Sequence, residues 1–82
     1  MTENSEQIMR IDAKGLKCPM PVIKLQQQVR SCTKGSKICI SCTDSGAEKD
    51  IASWVKVNKH IWLDCTATDY GCDICIEVAG RN

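Results

Sequence analysis

The chain has 82 residues, of which 43% are hydrophobic and 26% charged, and its formal net charge is +1. This length supports one hydrophobic core, which excludes a second domain, and the balanced charge excludes a chain held disordered by repulsion. No run of about 18 apolar residues is present, so no membrane-spanning helix is predicted. We therefore expect one domain over residues 1–82, with residues 1–6 disordered.

The amino-terminal third predicts a strand followed by a helix. Residues 7–12 are rich in branched apolar side chains, which favours a first strand. Residues 21–31 have helical apolar spacing, and the predicted buried stripe is Pro21, Val22, Leu25 and Val29. Pro19 and Pro21 fit a first helical turn, where a missing N–H costs nothing, so the helix should begin just after Cys18.

The middle of the chain predicts a second strand and a second helix. Residues 37–43 alternate with period two, which places Ile38, Ile40 and Cys42 on one face. Ser45 and Glu48 have the spacing of a capping box, which predicts a helix start. The apolar stripe of this helix is Ala47, Ile51, Trp54 and Val55, and its predicted outward residues are Lys49, Asp50 and Lys56.

Two further strands complete the predicted fold. Residues 61–68 and 72–78 alternate, and the short segment 69–71 between them has hairpin length. The order β-α-β-α-β-β predicts an α/β (α+β) two-layer sandwich, in which a four-stranded mixed sheet carries both helices on one face. Ile40 and Ile76 of the sheet should then pack on Leu25, Val29, Ile51 and Val55 of the helices, together with Val22.

Cys18 is the candidate reactive residue. A cysteine directly before a helix lies near free N–H groups and the positive end of the helix dipole, which favour the thiolate. Lys14 and Lys17 add positive charge, and Asp12 is the one acid near Cys18 in the sequence. The position predicts a nucleophilic cysteine.

The segment around Cys18 resembles a known family. Residues 12–21 read D-A-K-G-L-K-C-P-M-P and fit the D-x-x-G-L-x-C-P-x-P pattern of the TusA/SirA-like sulfur carrier proteins. The resemblance implies the same two-layer fold and a Cys18 that carries sulfane sulfur as a persulfide, with no cofactor other than this transient sulfur. It implies supporting roles for the motif residues Lys14, Gly15, Lys17, Pro19 and Pro21.

A second, looser match covers residues 43–51 and Trp54. The family's usual form of this turn has an acid where this chain has Thr43 and a proline where it has Ser45. This departure predicts a smaller role for the turn between the second strand and the second helix.

The resemblance also implies partners and a setting. A carrier with one reactive cysteine needs a sulfur donor protein, such as a cysteine desulfurase or a rhodanese-like protein, and a downstream acceptor protein. Relays of this kind serve tRNA thiolation, cofactor synthesis or sulfur oxidation. Residues 1–6 show no secretory signal, so we expect a monomeric cytoplasmic protein that contacts neither membrane nor nucleic acid directly. Whether such a carrier counts as an enzyme is left open.

The remaining cysteines support competing hypotheses. Two C-x-x-C pairs begin at Cys39 and Cys72 and have the spacing of a zinc or iron–sulfur site, but residues i and i+3 of a strand point to opposite faces, so no metal is predicted. A disulfide relay of Cys18 with Cys42 or Cys65 is a second alternative. A reducing compartment favours metal, redox or catalytic roles over structural bridges, and most of these cysteines are expected to pack as small hydrophobic residues.

Two other features leave alternatives open. Residues 13–37 contain six basic residues and no acid, which fits a solvated surface, a docking patch for an acidic partner, or a small RNA-binding domain. His60 follows the second helix and is either a general base or a cation that suits the helix carboxyl terminus.

Overall fold

The computed structural model describes residues 8–80. Its elements follow the predicted order: β1 (Ile8–Ala13), α1 (Met20–Arg30), β2 (Lys37–Cys42), α2 (Ala47–Val57), β3 (Ile61–Ala67) and β4 (Cys72–Glu77). Gln7, which the sequence placed in the first strand, and residues 1–6, which it predicted to be disordered, lie outside the described residues. Within the described part of the chain, no helix is long and apolar enough to cross a membrane.

The four strands form one mixed sheet in the order β1-β2-β4-β3. β1 is parallel to β2, and β4 is antiparallel to both β2 and β3. The register places Ile40 of β2 between Ile11 of β1 and Ile74 of β4. The predicted mixed sheet with both helices on one face is confirmed.

The core lies between the sheet and the two helices. The predicted residues that are buried there are Leu25, Val29, Ile40, Ile51, Val55 and Ile76. The prediction for Val22 is wrong, because Val22 is half-buried at the edge of the core while Pro21 is fully buried. The buried stripe of α1 therefore runs through Pro21, Leu25 and Val29, four residues apart at each step.

The helix starts differ in detail from the sequence predictions. α1 begins at Met20, with Pro19 as N-cap and Pro21 in the first turn. α2 begins at Ala47, with Gly46 as N-cap and no side-chain hydrogen bond at the cap. The predicted capping box is therefore wrong, because Ser45 lies one residue before the cap and Glu48 is directed at Cys65 instead.

Candidate functional site

Three connections meet at one end of the sheet. β1 and β2 are parallel neighbours, so their carboxyl ends lie side by side, and β4 starts at the same end because Cys72 is opposite Cys42. The β1–α1 turn, the β2–α2 turn and the β3–β4 hairpin therefore lie close together. Cys18 lies in the first of them and is exposed.

Side chains of the β2–α2 turn accept hydrogen bonds from the backbone of the β1–α1 turn, which carries Cys18. The backbone N–H of Gly15 donates to Thr43 Oγ1 at 2.9 Å, and the N–H of Cys18 donates to Asp44 Oδ2 at 3.2 Å. Gly15 has φ +84°, a conformation that glycine adopts without strain. The β2–α2 turn therefore positions the Cys18 turn, a structural contribution of Thr43 that the departure from the family pattern did not predict.

Two acids approach Cys18 from outside its own turn. Besides Asp44 at the backbone, the Asp50 carboxylate accepts a hydrogen bond from the Cys18 thiol. The expectation that Asp12 is the one nearby acid is wrong. Asp50 lies off the buried face of its helix, as the sequence predicted, but it is half-buried and reaches Cys18. Helical periodicity describes burial against the sheet, and it does not report the neighbouring loop that reaches the flank of α2.

The amino terminus of α1 retains its favourable field. No acidic residue lies in its first turn, and no side chain caps it. Met20 N–H donates to the Lys17 carbonyl at 2.8 Å, which closes the turn around Cys18 and Pro19. The partial positive charge of the helix end and the carboxylate of Asp50 thus act on the same thiol in opposite directions.

The Lys14 side chain is directed at the hairpin. Its ammonium lies 4.8 Å from the centroid of the Tyr70 ring, a cation–π contact. The Tyr70 hydroxyl donates to Asp73 Oδ1 at 2.5 Å, and this hydrogen bond lowers the pKa of Asp73, with Ser41 and Lys14 acting in the same direction against burial. Lys14 therefore joins the Cys18 turn to the hairpin.

The two C-x-x-C pairs separate onto opposite faces of the sheet. Cys39 and Cys75 are directly opposite in β2 and β4 and form a disulfide, with their Cα atoms 4.1 Å apart. Cys42 and Cys72 are also opposite each other but lie on the helix side. The four sulfurs do not converge, and within residues 8–80 no group of three or more His, Cys, Asp or Glu side chains is arranged to hold a metal ion.

The disulfide departs from the expectation that structural bridges are disfavoured in this chain. That expectation rested on compartment, whereas the bridge follows from register: β2 and β4 pair so that positions 39 and 75 face each other. The spacing of the cysteines showed that each pair splits across the sheet, but it did not show which strands are neighbours.

The free strand thiols are held in the protonated form. Burial, followed by the charges of Cys72 and Asp73, raises the pKa of Cys42 to about 12. Burial and the neighbouring Cys72 and Glu48 raise the pKa of Cys65 to about 11. Burial also raises the pKa of Cys72, although its hydrogen bond with Cys65 acts in the opposite direction. Cys18, Cys42 and Cys65, which the relay hypothesis joined, are all free thiols.

His60 has a structural role. It is 7% exposed, and its Nδ1 accepts hydrogen bonds from the backbone N–H groups of Ala79 and Gly80, both at 3.1 Å. Its ring also packs 5.0 Å from that of Trp54. Because Nδ1 accepts both backbone hydrogen bonds, this nitrogen is occupied and does not serve as a general base.

These observations define a two-layer α+β domain that presents one exposed cysteine at the start of a helix. The chain matches the family model described as "Sulfurtransferase TusA" over residues 9–78. It belongs to the TusA family.

Individual relatives agree with this assignment. YrkI of Bacillus subtilis (strain 168), named as a candidate sulfur carrier protein, is 36% identical over 56 residues, covering 68% of this chain and 75% of YrkI. A protein of Aquifex aeolicus (strain VF5) with the same kind of name is 34% identical over 67 residues, covering 82% of this chain and 34% of the relative. For YrkF of Bacillus subtilis the identity is 37% over 57 residues, 70% of this chain and 31% of YrkF. The match spans about a third of the length of these last two relatives.

A solved structure shares the fold. The crystal structure of a SirA-like protein from Desulfitobacterium hafniense superimposes with a TM-score of 0.76 and 19% sequence identity, covering 89% of this chain and 99% of that one. At this identity the similarity establishes the shared fold.

Proposed function

We propose that the protein is a sulfur carrier that holds sulfane sulfur as a persulfide on Cys18. The observation that carries the proposal is the position of this thiol: it is exposed, free, and next to the amino terminus of α1. No enclosed pocket is found among the described residues, so the thiol is open to a protein-sized partner. The family membership and the names of the relatives support the same function.

Each transfer is an exchange at sulfur. The Cys18 thiolate attacks the outer sulfur of a donor persulfide, R–S–SH; a new S–S bond forms, the donor S–S bond breaks, and R–S⁻ leaves. The acceptor thiolate then attacks the outer sulfur of Cys18–S–SH and releases Cys18 as thiolate. No net oxidation occurs in either step, so the proposed carrier needs no resident cofactor.

The proposal extends to partners and setting. The donor class is a cysteine desulfurase or a rhodanese-like protein, and the acceptor belongs to a relay for tRNA thiolation, cofactor synthesis or sulfur oxidation. Motif residues Gly15, Lys17, Pro19 and Pro21 shape the turn that a partner meets. We include a monomeric state and a cytoplasmic setting, where reducing conditions would open the Cys39–Cys75 bridge.

A comparison of two cysteines on one helix tests this function. Cys18 precedes the start of α1, and Cys32 follows its end, where Cys32 N–H donates to Val29 O at 3.0 Å. After incubation with a cysteine desulfurase and free cysteine, intact-mass spectrometry should show one added sulfur atom on the wild type and on Cys32→Ser. Cys18→Ser should remain unloaded and folded. Loading of a folded Cys18→Ser protein would refute the proposal.

A thiol redox function is the second candidate, because the Cys39–Cys75 disulfide lies on the sheet face that carries no helix. It predicts that the bridge cycles with a dithiol substrate while sulfur loading fails. The loading experiment separates the two functions.

A further inference from the structure

We propose that Asp50 is a catalytic residue that holds the thiol proton of Cys18 between transfers, so that the resting carrier presents a thiol rather than a thiolate. The inference deepens the proposed function and rests on it. It starts from one contact: the Cys18 Sγ–H donates to Asp50 Oδ2 across 32 residues of sequence.

The fold fixes this contact from both sides. Asp50 lies in the first turn of α2, whose buried residues Ala47 and Ile51 anchor the helix to the core. On the other side, the Asp44 carboxylate binds the Cys18 N–H at 3.2 Å and Thr43 binds Gly15, so the cysteine turn is held against the start of α2. The thiol and the carboxylate therefore meet as two rigidly supported groups.

A carboxylate that accepts a hydrogen bond from a thiol stabilises the neutral form of sulfur, and its charge opposes a second negative charge beside it. The other charged and titratable groups at this end of the sheet come from four parts of the chain. They are Asp12 at the end of β1 with Lys14 and Lys17 in the turn after it, Asp44 from the β2–α2 turn, Glu48 and Lys49 from α2, and Asp69, Tyr70 and Asp73 from the hairpin and the start of β4. The Lys14 ammonium lies over Tyr70 and within the field of Asp73. Among these groups, Asp50 makes the hydrogen bond to Sγ.

The proton balance of loading follows from this arrangement. Asp50 takes the proton from the Cys18 thiol as the Cys18 sulfur attacks the outer sulfur of R–S–SH and the donor S–S bond breaks, and it returns that proton to the departing R–S⁻. The net change is Cys18–SH plus R–S–SH to Cys18–S–SH plus R–SH, without oxidation or reduction. In the unloaded carrier, a protonated Cys18 is also protected from unproductive alkylation and oxidation, because both reactions require the thiolate.

The matched control lies in the same helical turn. Glu48 carries the same charge as Asp50, but it interacts with Cys65 rather than Cys18. Glu48→Gln therefore removes one negative charge from the start of α2 without removing the contact at Sγ. Asp50→Asn removes the charge at the contact itself.

The test is the pH profile of Cys18 alkylation by iodoacetamide, followed by mass spectrometry of the Cys18 peptide in folded wild type, Asp50→Asn and Glu48→Gln. In Asp50→Asn the midpoint should fall by about one pH unit, and the rate at pH 7 should rise roughly tenfold. In Glu48→Gln both should stay near the wild-type values.

A midpoint in Asp50→Asn that is unchanged or higher would overturn the inference. A measurement on the wild type alone tests it as well, because a midpoint far below that of free cysteine would show that the helix end dominates and that Asp50 does not hold the proton. Alkylation needs no sulfur donor. Failure of the proposed function would appear as absent loading, whereas failure of this inference would appear in the alkylation profile.

Discussion

Cys18 and the strand cysteines have contrasting environments in the same small domain. Cys18 is exposed on a turn between a helix amino terminus and the Asp50 carboxylate. Cys42 is fully buried under the helices, and burial is the first cause of its raised pKa. Residue type alone therefore does not define a reactive thiol. A thiol reacts where its backbone brings it to solvent and where nearby groups control its proton.

The sharpest way to break this contrast is native-state alkylation at pH 7. Cys65 has a pKa of about 11 and Cys42 one of about 12, so little thiolate exists at either position. We expect iodoacetamide to modify Cys18 faster than both by roughly 10² or more, as measured by peptide mass spectrometry over time. Comparable rates in the folded protein would contradict the assignment of Cys18 as the distinct thiol.

The β3–β4 hairpin packs closely against the end of β2, next to the turn that supports Cys18, and Gly71 lies at this contact. A Cβ on Gly71 would collide with the Cys42 carbonyl and the Thr43 backbone, and its φ of +152° disfavours side chains. Gly71→Ala should therefore lower the free energy of unfolding by about 3 kcal/mol in urea titration. Gly35→Ala is the control, because Gly35 has φ +93° but open space around it. Only the cost of the unfavourable backbone conformation, about 1 kcal/mol, is expected there. Equal losses would show that the hairpin contact is unimportant.

Alkaline pH should lower the free energy of unfolding through the strand thiols of Cys42 and Cys65. The folded-state pKa values of Cys42 and Cys65 lie above the ordinary pKa of a cysteine thiol, so above about pH 9 the unfolded chain releases protons that the folded chain retains. The contribution of these thiols to stability should be complete below about pH 9. Above it, the free energy of unfolding should fall by up to about 1.4 kcal/mol per pH unit through Cys42 and by less through the more exposed Cys65. Cys42→Ala should flatten this slope, as followed by thermal unfolding between pH 8 and 11. An unchanged slope in Cys42→Ala would exclude this thiol as its cause.

The smallest effect is expected at the bridge. Cys39 and Cys75 lie in the centre of the sheet, on the face away from the helices and from Cys18. Cys39→Ser and Cys75→Ser should therefore load sulfur as the wild type does, within experimental error, when intact masses are compared after incubation with a donor. A complete loss of loading in either folded variant would favour the thiol redox function.

Local pattern predicted most of the fold, because apolar periodicity reports directly which side of an element is buried. The element order, the helix stripe through Leu25 and Val29, and the alternating face of β2 were all confirmed. The predicted capping box was wrong even though Ser45 and Glu48 have the required spacing. The helix starts at Ala47, and the Glu48 side chain interacts with Cys65.

The structural surroundings of Cys18 were predictable in part. Cys18 could be singled out because its neighbours in sequence, Pro19 and Pro21, define the helix start. Asp44 and Asp50 could not, because their contacts with Cys18 depend on how two loops from different strands meet. The Cys39–Cys75 pair likewise depends on strand register, which no local spacing specifies.

The central claim is that sulfur resides on Cys18 alone, and direct mapping of loaded sulfur tests it. The wild-type protein would be loaded by a cysteine desulfurase, trapped with iodoacetamide under native conditions and digested for peptide mass spectrometry. We predict one persulfide adduct, in the peptide that contains Cys18. Sulfur on the peptides of Cys32, Cys65 or Cys72, or inserted between Cys39 and Cys75, would contradict it.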